Sequence, residues 1–110
     1  MKSLVFLADG DPVLVLCSGA SRVDEGRLAA ALGARSVRRA NAEEAKSATG
    51  YAIGGVPPFA HARGCRVVCD RRLATFDVVW AAAGLPDAVF PLAPAELVRL
   101  ADATVAEVAA

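Results

Sequence analysis

The stretch Lys2-Ser3-Leu4-Val5-Phe6-Leu7-Ala8-Asp9-Gly10-Asp11-Pro12-Val13-Leu14-Val15-Leu16-Cys17-Ser18 decides the fold of this chain. Two apolar runs flank Asp9-Gly10-Asp11, a turn of the Asp-Gly type. The stretch therefore predicts a hairpin with strands over 2–8 and 12–18. Val13 to Leu16 is apolar without a break, as suits a central strand buried on both faces. Such a strand requires further strands beside it and material above and below.

The rest of the chain supplies both. Asp24 can accept from the free N–H groups of a first helical turn, and Val23 can staple against Leu28. Leu28 and Leu32 share a face, and Gly33 ends the helix. Ser36 to Arg39 reads as a short strand. Asn41 and Glu44 have the spacing of a reciprocal cap for a second helix that stops at Gly50. From Thr49 to Gly64 no period holds, and Gly54-Gly55-Val56-Pro57-Pro58 forbids helix and central strand alike. Strands follow over 66–69, 78–82 and 88–92, with a short helical turn begun by Asp70 after the first. A last helix runs over 94–101 with Pro94 at its first position, Leu97 and Leu100 inward, and Ala93 unable to cap. The expected class is α+β, a mixed, mostly antiparallel sheet with flanking helices, in a single domain spanning 1–110.

Composition narrows the function. The chain has 110 residues and a formal charge of zero, from 12 Lys and Arg against 12 Asp and Glu. That balance lacks the basic field of a protein that grips long DNA or RNA through many phosphates. No apolar run approaches the roughly 20 residues of a membrane span, and Asp9 cuts the first run too short for a signal peptide. A cytoplasmic protein without membrane or DNA partners is expected. Three cysteines fit reduced thiols. Cys65 and Cys69, four residues apart on a strand, would lie roughly 13 Å from each other, too far for a disulfide. A metal site from His61, Cys65, Cys69 and Cys17 lacks the spacing of a known zinc knuckle, so buried packing is the expected role of the thiols, with no metal or other cofactor.

Conventional catalytic motifs are scarce. His61 is the single histidine, and no nucleophile elbow, Walker loop or dinucleotide fingerprint occurs. Two features remain. Ten of the twelve cations are arginine, leaving only Lys2 and Lys46 with a compact, flexible ammonium. Lys46 lies on a helix face expected in solvent, whereas Lys2 opens a strand, where a terminal charge can also serve simply to resist edge pairing. The loop Thr49 to His61 is long for so small a domain. Its paired glycines can admit a ligand to the backbone and offer N–H donors to an anion.

These residues resemble a known family. Lys2-Ser3-Leu4-Val5-Phe6, the Val23-Asp24-x-x-x-Leu28 helix start, Thr49-Gly50-Tyr51-x-x-Gly54-Gly55-Val56-x-Pro58 and Val79-Trp80-Ala81-Ala82-Ala83-Gly84 look like the YbaK/EbsC family. Its members are trans-editing aminoacyl-tRNA deacylases related to the inserted editing domain of prolyl-tRNA synthetase. The resemblance covers essentially the whole chain. It implies hydrolysis of the ester of a mischarged tRNA, with Cys- or Ala-tRNA(Pro)-like substrates, the aminoacyl-tRNA 3′ end as partner and prolyl-tRNA synthetase as a second candidate partner. It places the family's lysine at Lys2 and its pocket loop at Gly54 to Pro58. Thr49, Gly50, Tyr51, Gly54, Gly55, Val56, Pro57, Pro58, His61, Ala83 and Gly84 are the substrate-binding candidates. It further implies that the substrate assists its own cleavage, through a hydroxyl of the terminal adenosine or a cysteine thiol.

Three departures from the family pattern stand out. Members carry a segment ahead of the lysine that this chain is expected to lack. Pro57 stands where a serine is frequent, and Ala60 where a glycine is. Two alternatives follow: a module that binds the aminoacylated end without hydrolysing it, and a thiol-based metal or redox protein. Arg35, Arg38, Arg39, Arg63, Arg66, Arg71 and Arg72 are candidate phosphate contacts, with a solvated face as the plainer role. Trp80 and Phe76 are expected in the core, and Asp70 as a helix cap.

Overall fold

A computed structural model describes residues 1–59, 61, 64–85 and 88–110. Ala60 and Arg63 lie outside these residues. Strands β1 (Lys2–Ala8) and β2 (Asp11–Cys17) form the expected hairpin, in register from Lys2 opposite Cys17 to Ala8 opposite Asp11. Asp9 and Gly10 both have positive φ, 50° and 85°, the twist that a two-residue hairpin turn needs. The Asp9 carboxylate then accepts from the N–H groups of Arg35 and Ser36 at 3.1 and 2.9 Å, tying the turn to the start of β3 (Val37–Arg39).

Five strands make one sheet in the order β3-β1-β2-β4-β7, with β4 at Arg66–Asp70 and β7 at Thr104–Ala106. β1 pairs antiparallel with both β2 and β3, while β4 lies parallel to β2 and β7 parallel to β4. Each parallel pairing needs a long crossover. The first crossover carries helices α1 (Glu25–Leu32) and α2 (Ala42–Thr49), and the second carries α3 (Pro94–Ala101). Strands β5 (Val79–Ala82) and β6 (Val89–Leu92) stand apart as a two-stranded antiparallel ribbon. The fold is α+β, with antiparallel pairing the more extensive.

The uninterrupted run in β2 is the central strand of the sheet. Leu14 and Leu16 enter a core shared with α2, α3 and the ribbon. Val13 and Val15 enter a second core with Leu28 of α1 and Val108. Both helix caps fall where the sequence puts them. Asp24 accepts from Arg27 N–H at 3.0 Å, and Asn41 and Glu44 complete a capping box at 2.8 and 3.0 Å.

Four expectations need correction. Asp70 stands at the cap position of the 3₁₀ turn Arg71–Thr75 but makes no side-chain cap; its carboxylate accepts from Val108 and Ala109 instead. Trp80 is 52% exposed and Phe76 46%. The ribbon buries Val79 and Ala81, so period-two alternation turns Trp80 outward. Leu100 is likewise exposed, because α3 faces the core through Leu97 and Ala101, one turn apart. Strand β7 has no counterpart in the sequence reading.

Candidate active site

Period-two alternation along β1 puts Ser3 and Val5 on one face of the sheet and Lys2, Leu4 and Phe6 on the other. The Ser3 side borders a cavity of about 260 Å³. Buried Val5, Ala40, Ala45 and Val56 form its inner wall, while Ile53, Ala82 and Val89 stand nearer solvent. Half-buried Lys2, at the open end of the strand, contributes to the same wall, as does Arg39 at the end of β3. Lys2 forms no ion pair among the described residues.

The structure thus brings Lys2, Gly54 and Val56 to one cavity, although 51 residues of sequence lie between the first two. The other candidates hold the loop in shape. Thr49, fully buried, donates to the Ala45 carbonyl at 2.8 Å and accepts from Tyr51 N–H at 3.1 Å. Gly50 ends α2 with φ 85°. Gly55 packs so tightly on the neighbouring turn that an added Cβ would lie 3.0 Å from the Leu85 carbonyl carbon and 3.1 Å from the Gly84 oxygen. Gly84 in turn meets the Tyr51 ring, 3.3 Å from where its own Cβ would be. Ala83 N–H closes that turn on the Ala88 carbonyl at 2.8 Å. His61 Nε2 lies 2.7 Å from the Pro57 carbonyl oxygen, which makes it a brace across the buried Pro57-Pro58 pair.

The glycine pair therefore works differently from the nest expected of it. Gly55 N–H is already taken by the Ala52 carbonyl at 3.0 Å. Its close approach is to protein backbone, leaving Gly54, with φ 89°, as the glycine on the cavity. Sequence reasoning missed Ser3, Ala40, Ala45, Ile53, Ala82 and Val89 as cavity residues. Ser3, Ile53 and Ala82 stand beside named candidates and so carried a local signal; the others did not. Ser3 is unusual in that its Oγ is buried without a partner among the described residues.

Two of the three thiols, Cys17 and Cys69, are ill suited to nucleophilic chemistry. Burial pushes the Cys17 thiol above its usual pKa, against the opposing pull of Lys2 and Arg39. Cys69 rises to about 11, chiefly by burial and then through Asp70 and Cys17. At neutral pH both are protonated, and the thiol is the poor nucleophile and ligand of the two forms. Among the described residues no three His, Cys, Asp or Glu side chains gather where a metal ion could sit.

The chain and its fold have known relatives. A solved structure of a protein proposed as a trans-editing enzyme for prolyl tRNA synthetase superposes with a TM-score of 0.93 at 40% identity, covering 99% of this chain and 69% of that one. The hypothetical protein APE2540 gives 0.91 at 34%, covering 99% and 73%. The proline–tRNA ligase of Streptococcus equi subsp. zooepidemicus is 36% identical over 73 residues, and that of Lactobacillus gasseri 39% over 70. Those stretches are 66% and 64% of this chain but only 12% of each ligase. The family model for the aminoacyl-tRNA editing domain matches residues 1–100. The chain belongs to the aminoacyl-tRNA editing domain family.

Proposed function

We propose that this protein is a deacylase that hydrolyses the ester joining a wrongly attached small amino acid to the 3′-terminal ribose of a tRNA. The observation that carries the reading is that Lys2, Gly54 and Val56 line one small, apolar-walled cavity. At about 260 Å³ it falls below the roughly 300–1,000 Å³ of pockets for drug-sized ligands. A single aminoacyl group such as alanyl or cysteinyl fits within such a space. The likeness to proline–tRNA ligases and to a protein proposed as a trans-editing enzyme supports tRNA(Pro) as the carrier.

The chemistry asks little acid–base work of the protein. Water adds to the ester carbonyl, negative charge develops on the carbonyl oxygen, and the bond to the ribose oxygen breaks as that oxygen takes up a proton. A hydroxyl of the terminal adenosine can hold the water. Lys2 offsets the developing charge, and the loop at Gly54 fixes the acyl group against the β1 wall. Orientation and charge stabilisation are large terms for an activated ester.

The test is turnover of Ala-tRNA(Pro) and Cys-tRNA(Pro) by the parent and by Lys2→Ala. Losing one such charge-stabilising donor costs about 100- to 1,000-fold in rate. Lys2→Ala should therefore fall that far with its thermal transition unchanged, while Lys46→Ala, on an exposed helix face, matches the parent. A folded parent that binds these tRNAs but hydrolyses neither would replace the deacylase with a binding module. Equal activity of Lys2→Ala would remove Lys2 from the mechanism.

A further inference from the structure

On the opposite face of β1 lies an open groove of about 350 Å³, bounded by Lys2, Leu4, Phe6 and Arg39 on the sheet side and by Arg22 and Glu25 at the start of α1. Lys2, Leu4 and Arg39 line this groove and the cavity behind it alike. The two spaces therefore share one wall at this end of β1. Three cations face one carboxylate there, a local excess in a chain whose formal charge is zero.

The cations of this groove are also uncommitted. Arg38 is held by Glu44 through bonds of 2.9 and 2.6 Å, and Arg27 reaches Glu107 at 3.6 Å and the Ala109 carbonyl at 2.6 Å. Lys2, Arg22 and Arg39 form no ion pair among the described residues. Arg39 is also positioned in advance. Its guanidinium carbon lies 5.8 Å from the centroid of the Phe6 ring, and that ring is itself buried. Stacking on a fixed ring limits where the charge can go.

We propose that this groove seats a backbone phosphate of the 3′-terminal nucleotides of the tRNA whose ester enters the cavity. The inference rests on the deacylase reading. With the acyl group in the cavity, the ribose sits at the Lys2–Arg39 rim and the preceding phosphates emerge beside it. Guanidinium groups match phosphate oxygens in pairs, and phosphate contacts set register without reading sequence. The groove holds the strand so that the ester reaches the cavity wall, and Arg22 is a positioning residue.

The test compares aminoacyl-tRNA with 3′-O-aminoacyl-adenosine, which carries the same ester and no phosphate. Arg22→Ala should raise KM for the tRNA roughly fivefold to tenfold with kcat within twofold, and leave hydrolysis of the adenosine ester unchanged. Arg22→Lys, which keeps the charge without the paired donors, should recover only part of the loss. The slope of log kcat/KM against log salt should fall by about 0.7, the value of one single-strand phosphate contact. Arg99→Ala, exposed and outside the groove, should change nothing. Equal losses on both substrates, or none on the tRNA, would overturn the proposal. If the parent hydrolyses neither ester, the deacylase reading fails and the groove is judged by binding alone. In that case the parent should bind adenosine 5′-monophosphate more tightly than adenosine, and Arg22→Ala should lose that preference. A parent without the preference rejects the groove.

Discussion

Asp70 Oδ1 accepts from Val108 N–H at 3.1 Å and, beside it, from Ala109 N–H at 3.2 Å, so one fully buried carboxylate fastens residues 108 and 109 to the end of β4. Its second oxygen, Oδ2, has no partner among the described residues. Asp70→Ala leaves two buried N–H groups without an acceptor, which should cost about 2–4 kcal/mol. Asp70→Asn keeps Oδ1 as acceptor for both N–H groups, so it should cost far less. Urea denaturation of both variants checks the contrast, and exchange of the Val108 and Ala109 amides should accelerate in the alanine variant alone.

Arg38 and Glu44 govern an acid limb. Glu44 is held at about 2, first by the Arg38 hydrogen bond and then by Asn41 N–H, against an ordinary value of 4.5. A carboxyl whose folded pKa is depressed adds stability that is fully present above its unfolded pKa. That increment disappears as pH falls from there toward about 2. Arg38→Ala should therefore narrow the difference in Tm between pH 6 and pH 3, and raised salt should narrow it in the parent, because the pair is exposed. A parent and variant with superimposable pH profiles would exclude this pair from acid sensitivity.

Gly55→Ala should unseat the loop. The added Cβ meets backbone at 3.0–3.1 Å on the Gly84–Leu85 turn, tighter than most such contacts in folded proteins, so backbone, which cannot swing aside as a side-chain tip can, must give way. A loss of about 1–3 kcal/mol is expected. Activity should fall with it, since Gly54 and Val56 on either side wall the cavity. Added stability in this variant would show that the loop has room to move.

Ser3→Ala should be neutral or stabilising by up to about 1 kcal/mol, because it removes a hydroxyl that burial has stripped of water without supplying a partner. Guanidinium chloride denaturation measures it. A loss above this range would mean that Ser3 Oγ has a partner in solution.

Much of the fold was legible because it is written in local signals. The Asp9-Gly10 turn, the Asp24 and Asn41 caps and the glycine helix stops each rest on short-range chemistry, and each lies where expected. What failed was phase and partnership. Val78 to Ala82 holds apolar side chains on both faces, so nothing local says that Val79 and Ala81 go inward and Trp80 outward. Asp70 reads as a cap because a turn follows it, and its true partners lie 38 and 39 residues away. In the site, Lys2 and the Gly54 loop could be named from sequence, yet the alanines and valines between them could not. Ala40 and Ala45 become cavity walls only when α2 folds across β1.

The order in which β2 acquires its neighbours has a kinetic consequence. Its pairing with β1 closes over a two-residue turn and can form early, whereas Val13 meets Arg66, and Val68 meets Thr104, only after each crossover has folded back. Contacts of long sequence separation pay chain entropy before they return any stability, so such strands dock late. The Asp70 clasp belongs to the last of these dockings, on the native side of the folding barrier. Loosening it should therefore speed unfolding and leave the refolding rate nearly untouched.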